Sequence, residues 1–238
     1  MKRLLSSVVL LLAAVGLTAQ WQEIETKLDT SVWASSTLCE QIAGKTVCYE
    51  PGNLFDTDPG TCWVEGAEGD GIGESVTFVV NKPVESLTLI NGFARSPSLF
   101  EKNNRVKRVS ISYLAAYTAP GLVTELDYYL YFAREHVGPE IELEDTSEPQ
   151  SFEILISSEQ QEQFLWQTFI AFAGEHPDFA VHIKEDLCLS EDATVREMEN
   201  YRDKIFAAFG MSCLKLEIRE VYRGSRYRDT CISEIELP

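Results

Sequence analysis

Apolar and polar residues alternate along much of this chain, and the alternation predicts short strands. Val76, Phe78 and Val80 share one face of residues 75–80, with Ser75 and Thr77 on the other. Residues 85–90 form a second candidate, closed by the Asn91-Gly92 turn signal. Val109, Ile111 and Tyr113 align within 108–114, and 128–133 and 151–156 add two more segments on either side of the polar turn at 144–150. At Ser158 the period changes. Ser158 and Gln161 have capping-box spacing, and Leu165, Phe169 and Phe172 follow at helical intervals until Gly174 and Pro177. Val195, Met198, Tyr201, Ile205 and Phe209 give a second helical stripe within 193–209, stopped by Gly210. Alternation returns at 214–221 and again at 231–237, where Ile232 is out of phase with Ile235 and Leu237 and predicts a bulge near Ser233-Glu234. The expectation is a mostly β fold, a sandwich or barrel of short strands, with a helical insertion over 157–211 before the last strands. Aromatics in that insertion read as helix packing against the sheet, not as a cofactor pocket.

One stretch, 53–74 (NLFDTDPGTCWVEGAEGDGIGE), fits neither period. Pro59 removes a backbone donor and Gly60, Gly66, Gly69, Gly71 and Gly73 favour turns, so it is a long loop leading into a strand, the usual location of binding function. It admits three readings. Asp56 and Asp58 resemble the start of a calcium loop, although the glycine spacing is not that of an EF-hand. Gly69, Gly71 and Gly73 resemble a phosphate cradle, but a strand and not a helix follows. The third is an acidic surface turn.

NLFDTDPGTCWVEG, then NGFARS at 91–96, NNRVKRV at 103–109 and YRGSRYRDTCISEIEL at 222–237, resemble the discoidin-like domains, a galactose-binding jelly-roll family. Among these the chain is similar to the glycan-binding subfamily found with NAD glycohydrolases. The likeness runs from Ala34 to Leu237 in the expected order. It implies a discoidin-like β-sandwich jelly roll over residues 21–238, and a non-catalytic glycan-binding module. The alternatives are a structural or protein–protein adhesion domain with a protein partner, or a glycan- or NAD-processing enzyme. It also implies a structural Ca2+ shared by Asp56, Asp58, Thr61 and Glu234. A sugar needs an aromatic face and fixed polar groups. The motif loops offer Trp63, Glu65, Asn91, Arg95, Asn104, Arg105, Lys107, Arg226, Tyr227 and Asp229. Against this stand a buried Trp63 in the core, and internal ion pairs for Arg105, Lys107 and Arg226.

Composition narrows the class. Lys2 and Arg3, an apolar run over 4–17 and Thr18-Ala19-Gln20 read as a secretory signal peptide, residues 1–20, too short to span a bilayer. The full chain has 20 basic and 38 acidic residues, a net charge of −18. Such a chain is repelled by phosphate backbones and anionic membranes, which argues against nucleic acid as a partner. An exported protein with six cysteines calls for disulfides. Cys39 and Cys48 are near enough to staple a local loop, Cys188 and Cys213 flank the second helical segment, and Cys62 is left with Cys231. Zinc is the alternative, though there is no Cys-x-x-Cys. His136, His176 and His182 are scattered and no nucleophile elbow or metalloprotease helix exists, so no catalytic residue is nominated.

Overall fold

A computed structural model describes residues 21–27, 30–125 and 128–238 of the chain, so the expected leader at 1–20 lies outside the described residues. The main sheet has ten strands and folds into two layers. The larger layer runs β2 (Val32–Ala34), β6 (Ser75–Val79), β11 (Gly210–Tyr222), β8 (Asn104–Tyr117), β9 (Tyr129–Glu142) and β1 (Gln22–Thr26). The smaller runs β10 (Gln150–Glu153), β7 (Ser86–Asn91), β12 (Thr230–Glu236) and β5 (Trp63–Val64). A short parallel pairing of Thr230 with Asn104 and Cys231 with Arg105 stitches the layers together. Leu87, Leu89 and Ile235 of the small layer meet Phe78, Ile111, Leu214 and Leu216 of the large one in a common core. The separate hairpin β3 (Cys39–Ile42) and β4 (Lys45–Cys48) carries the Cys39–Cys48 disulfide.

Several strands exceed the expected spans. β8 continues to Tyr117 because it is buried on both faces past Val109, and over 113–117 alternation gives way to an apolar run. The polar residues after 20 include β1, whose Ile24 packs beside Leu114 and Ala116. The bulge falls where the phase of Ile232 required it, with a register shift between Ile232 and Glu234.

The helical insertion lies between β10 and β11 and contains four helices: α2 (Ser158–Glu175), α3 (Pro177–Asp186), α4 (Val195–Glu199) and α5 (Arg202–Phe209). The short α1 (Pro97–Lys102) precedes β8. The capping box of α2 is one residue earlier than the sequence spacing indicated, with Ser157 and Gln160 as the reciprocal pair. Gln161 is instead fully buried and bridges to the β6–β7 turn, accepting from the Val84 N–H at 3.1 Å and donating to the Val84 and Ile156 carbonyls at 2.6 and 2.8 Å. Pro177 ends one helix and starts another, since proline at the first position needs no N–H partner. The predicted second helix breaks at Asn200 and Tyr201 into α4 and α5. Together these helices extend the second layer. The face of β8 that presents Val109 and Ile111 to the small sheet presents Tyr113 to Phe164 and Tyr117 to Phe169.

Two expected disulfides are corrected. Cys213 is buried in β11 and Cys188 is exposed after α3, both as free thiols, because α4 and α5 intervene and carry the two apart. Cys62 and Cys231 do meet in a small apolar cluster with Val64 and Phe93, but as thiols in hydrogen-bonding contact, not as a disulfide.

Candidate functional site

At one end of the sandwich, the loop 223–229 is laid across α1 and held from several directions. Ser96 caps α1 by accepting from the Leu99 N–H, and Pro97 starts it. At its other end the carbonyls of Glu101 and Lys102 have no further turn to bond. The loop supplies the donors: Ser225 N–H to Glu101 at 2.9 Å, and Arg226 and Tyr227 N–H to Lys102 at 3.1 and 2.8 Å. This approach is possible only without a side chain at 224, where a Cβ would lie 2.3 Å from the Lys102 carbonyl. Asn104, buried at the start of β8, fixes the loop at two points. It donates to the Arg228 carbonyl at 2.6 Å and accepts from the Gly224 N–H at 2.8 Å.

Asp70, from the glycine-rich loop, completes the frame. Arg228 donates to both of its oxygens at 2.9 and 3.3 Å, and Arg223 approaches to 3.4 Å. The Arg228 hydrogen bond holds the Asp70 carboxyl below its usual range. Both guanidinium groups remain largely exposed. Tyr227 then stands between two hollows and lines each. One, of about 220 Å³, is bounded by Asp70, Asn104, Arg223, Arg226 and Arg228. The other, of about 150 Å³, has Tyr49, Phe93 and Leu99 as its apolar floor and Asn103 and Asp229 beside it. Tyr49 and Phe93 meet edge to face at 6.1 Å, and the Arg226 guanidinium lies 5.1 Å from the Tyr227 ring centre. An aromatic ring between polar groups of both kinds can cover an apolar sugar face and bind hydroxyls.

The structure thus gathers Asn104, Arg226, Tyr227 and Asp229 and assigns the other nominated residues differently. Trp63 is wholly buried and donates its ring N–H to the Ser36 carbonyl at 3.0 Å. Glu65 is wholly buried too, accepting from the N–H groups of Thr230 at 3.1 Å and Ala67 at 2.8 Å; burial raises its pKa. Asn91 bridges to Val106, donating at 2.7 Å and accepting at 3.0 Å. Arg105 is buried in a two-pronged pair with Asp145, and Lys107 donates to Glu220 at 2.6 Å. These motif residues position the loops and do not present a surface to a ligand. Arg95 is exposed but lines neither hollow. Sequence reasoning missed Asp70, Arg223, Arg228, Tyr49 and Phe93 as individual site residues. Three arginines within six residues of a very acidic chain were the available signal.

Near the opposite end of the same long loop, Asp56 accepts from the Asp58 N–H at 2.9 Å and from the Thr61 hydroxyl at 2.8 Å, and Asp58 accepts from the Gly60 N–H at 2.8 Å. Glu234 is 3% exposed, and among the described residues its Oε2 has no hydrogen-bond partner. Burial raises its pKa, opposed by the Thr57 backbone N–H and reinforced by Asp56 and Asp58. The three carboxylates do not converge on one coordination sphere. Among the described residues the only such trio is Cys39, Cys48 and Glu50, two of which are joined in the disulfide.

No curated protein matches the chain. Among solved structures, the family 32 carbohydrate-binding module of C. perfringens NanJ in complex with galactose superposes with a TM-score of 0.40 at 10% identity, over 87% of this chain and 91% of that one. A Ruminococcus gnavus GH29 fucosidase mutant in complex with fucose gives a TM-score of 0.27 at 10% identity, over 87% of this chain and 24% of that one. Residues 24–238 match the family described as NAD glycohydrolase translocation F5/8 type C domain, and the chain belongs to that family.

Proposed function

We propose that this chain is a non-catalytic carbohydrate-binding module of an exported protein, with its ligand seated on Tyr227. The observation that carries the reading is an exposed aromatic ring set between two hollows. Each has a rigid polar frame, one basic and one apolar-floored. The Cys39–Cys48 disulfide supports an oxidising compartment. Among the described residues no helix is long and apolar enough to cross a membrane. A glycan array tests the proposal. Binding should be reproducible, and Tyr227→Ala should weaken it about tenfold or more, the loss of about 1.4 kcal/mol. A blank array with a protein recovered instead would favour adhesion, and turnover of NAD or a labelled oligosaccharide would favour an enzyme.

The same reading includes a structural Ca2+ at the 53–61 loop. A buried carboxylate oxygen without a donor is the feature that a hard cation would satisfy. Glu234 would supply that oxygen; Asp56 and Asp58, whose carboxylates do not converge with it as the loop stands, would have to turn toward the ion, with Thr61 and the loop backbone supplying the rest. Calcium would neutralise the field of these acids and fasten the loop to β12. Melting in calcium and in chelator measures this: a hundredfold excess over the dissociation constant stabilises by about 2.7 kcal/mol. Equal midpoints for the wild type remove the metal, and Glu234→Gln should abolish any difference.

A further inference from the structure

The loop-end hollows are not the only concavity. On the large layer, where the helical insertion takes over from the small sheet, lies a cavity of about 290 Å³. Tyr113, Tyr117 and Ser212 form its floor, from β8 and β11. Trp166 of α2 and Phe206 of α5 form facing walls. An apolar cavity of about 150 Å³ holds benzene, so this volume admits one substituted ring.

The polar groups are arranged unevenly. Tyr117 is 2% exposed, and its hydroxyl has no hydrogen-bond partner among the described residues although the side chain lines the cavity. Ser212 donates its hydroxyl to the Val80 carbonyl at 2.7 Å, which leaves its oxygen as an acceptor. Burial pushes the Tyr113 hydroxyl up to about 12, with Ser212 as its hydrogen-bonding neighbour. The floor therefore offers neutral hydroxyls, one of them unused. Charges occur only at the rim, on the exposed Lys82, Glu162, Arg202 and Asp203. Arg202 reaches Glu162 at 3.4 Å and Asp203 at 3.9 Å, while Lys82 donates to the Pro238 carbonyl at 3.0 Å. The floor of Tyr113, Tyr117 and Ser212 gives an ionic ligand no counter-charge, whereas an uncharged ring with a hydroxyl would satisfy the floor and fill the aromatic walls. A polyol fits less well, because Leu165, Trp166 and Phe206 line the cavity mainly with apolar surface.

We propose that this cavity is a second ligand site, separate from Tyr227, for an uncharged single-ring molecule bearing a hydroxyl. Such a ligand would bridge α2 and α5 to the sheet and tie the helical insertion to the sandwich.

The probe is p-cresol, with methyl galactoside as the polyol control, added to the intact protein. Binding is read from the melting midpoint and from the indole N–H resonance of Trp166, assigned with Trp166→Phe. p-Cresol should raise the midpoint in a saturable manner and shift the Trp166 resonance. Methyl galactoside should leave that resonance in place. Tyr117→Phe keeps the ring and the fold but removes the hydroxyl, and should weaken p-cresol about tenfold. Tyr227→Ala should leave p-cresol binding unchanged. No saturable effect of p-cresol overturns the site, and equal affinity in Tyr117→Phe overturns the role of the hydroxyl. Loss of p-cresol binding in Tyr227→Ala shows that the ring binds at the loop end and removes the second site, whatever the outcome for glycans.

Discussion

Arg105 is occupied on every side. Its guanidinium pairs with both oxygens of Asp145 at 2.9 and 2.8 Å, donates to the carbonyls of Asn103 and Arg223 at 3.0 and 3.2 Å, and lies over the Phe100 ring. Nothing is left to offer a ligand. Its effect on the site is indirect, since the Arg223 carbonyl it holds belongs to the loop that carries Tyr227. Truncating a buried charge that satisfies two backbone carbonyls is destabilising, although Asp145 is partly exposed and can rehydrate. Arg105→Ala should lower unfolding free energy by about 2 kcal/mol in a denaturant titration. Tyr227→Ala, at a residue that is 39% accessible and outside the core clusters, should stay within about 0.5 kcal/mol of wild type. If the two costs were reversed, the assignments of frame and surface would be wrong. Residue type alone could not separate these roles. Arginines 105 and 226 look alike in the sequence, and only the β12–β8 stitch places one inside and the other outside.

Among the elements, α2 packs on β8 through Phe164 and Phe169 and also reaches the β6–β7 turn through one buried side chain. Gln161 satisfies both the N–H and the carbonyl of Val84 as well as the Ile156 carbonyl, all at a buried seam. Gln161→Ala leaves three backbone groups unmet, each worth about 1–3 kcal/mol if water cannot reach it. The melting midpoint should fall by several degrees, and protease cuts should appear first within 157–211. A neutral substitution there would mean that water replaces the amide. The strands and the insertion were legible because burial of one face imposes a period, and the shift from two to about 3.6 at residue 158 marks the change of layer. What was hidden has physical causes. β1 is half-buried and polar, so its pairing with β9 leaves no periodic trace. α3 starts at the proline that looked like a stop. The partners of Cys188 and Cys213 could not be inferred from their separation, because the intervening helices decide it. At the candidate site, the motif loops lie together at one end of the sandwich, and most of their side chains face inward as frame.

Over the whole molecule, charge and burial oppose one another. The chain carries a net −18, yet Glu65 and Glu234 are buried with raised pKa values. A carboxyl whose folded pKa exceeds its unfolded value of about 4.3 contributes stability that is complete below that value and is lost as pH rises through the folded pKa. Glu135 has a lowered pKa and works in the opposite direction, losing its contribution as pH falls through its folded value. In chelator, repulsion among the surface acids adds to the first effect, so the midpoint near pH 5.5 should exceed that at pH 8, and added salt should narrow the gap. A higher midpoint at pH 8 would show that the buried carboxyls are paired in a way the structure lacks. The position of β12 has a further consequence, which concerns time. Residues 230–236 pair with β5, β7 and β8, at the middle of the molecule and not at its edge. A ribosome delivers residue 230 long after residue 63, so the small layer and the loop end cannot close until nearly all of this domain has emerged. Until then the chain remains unclosed, a state in which it can still be threaded through a narrow channel.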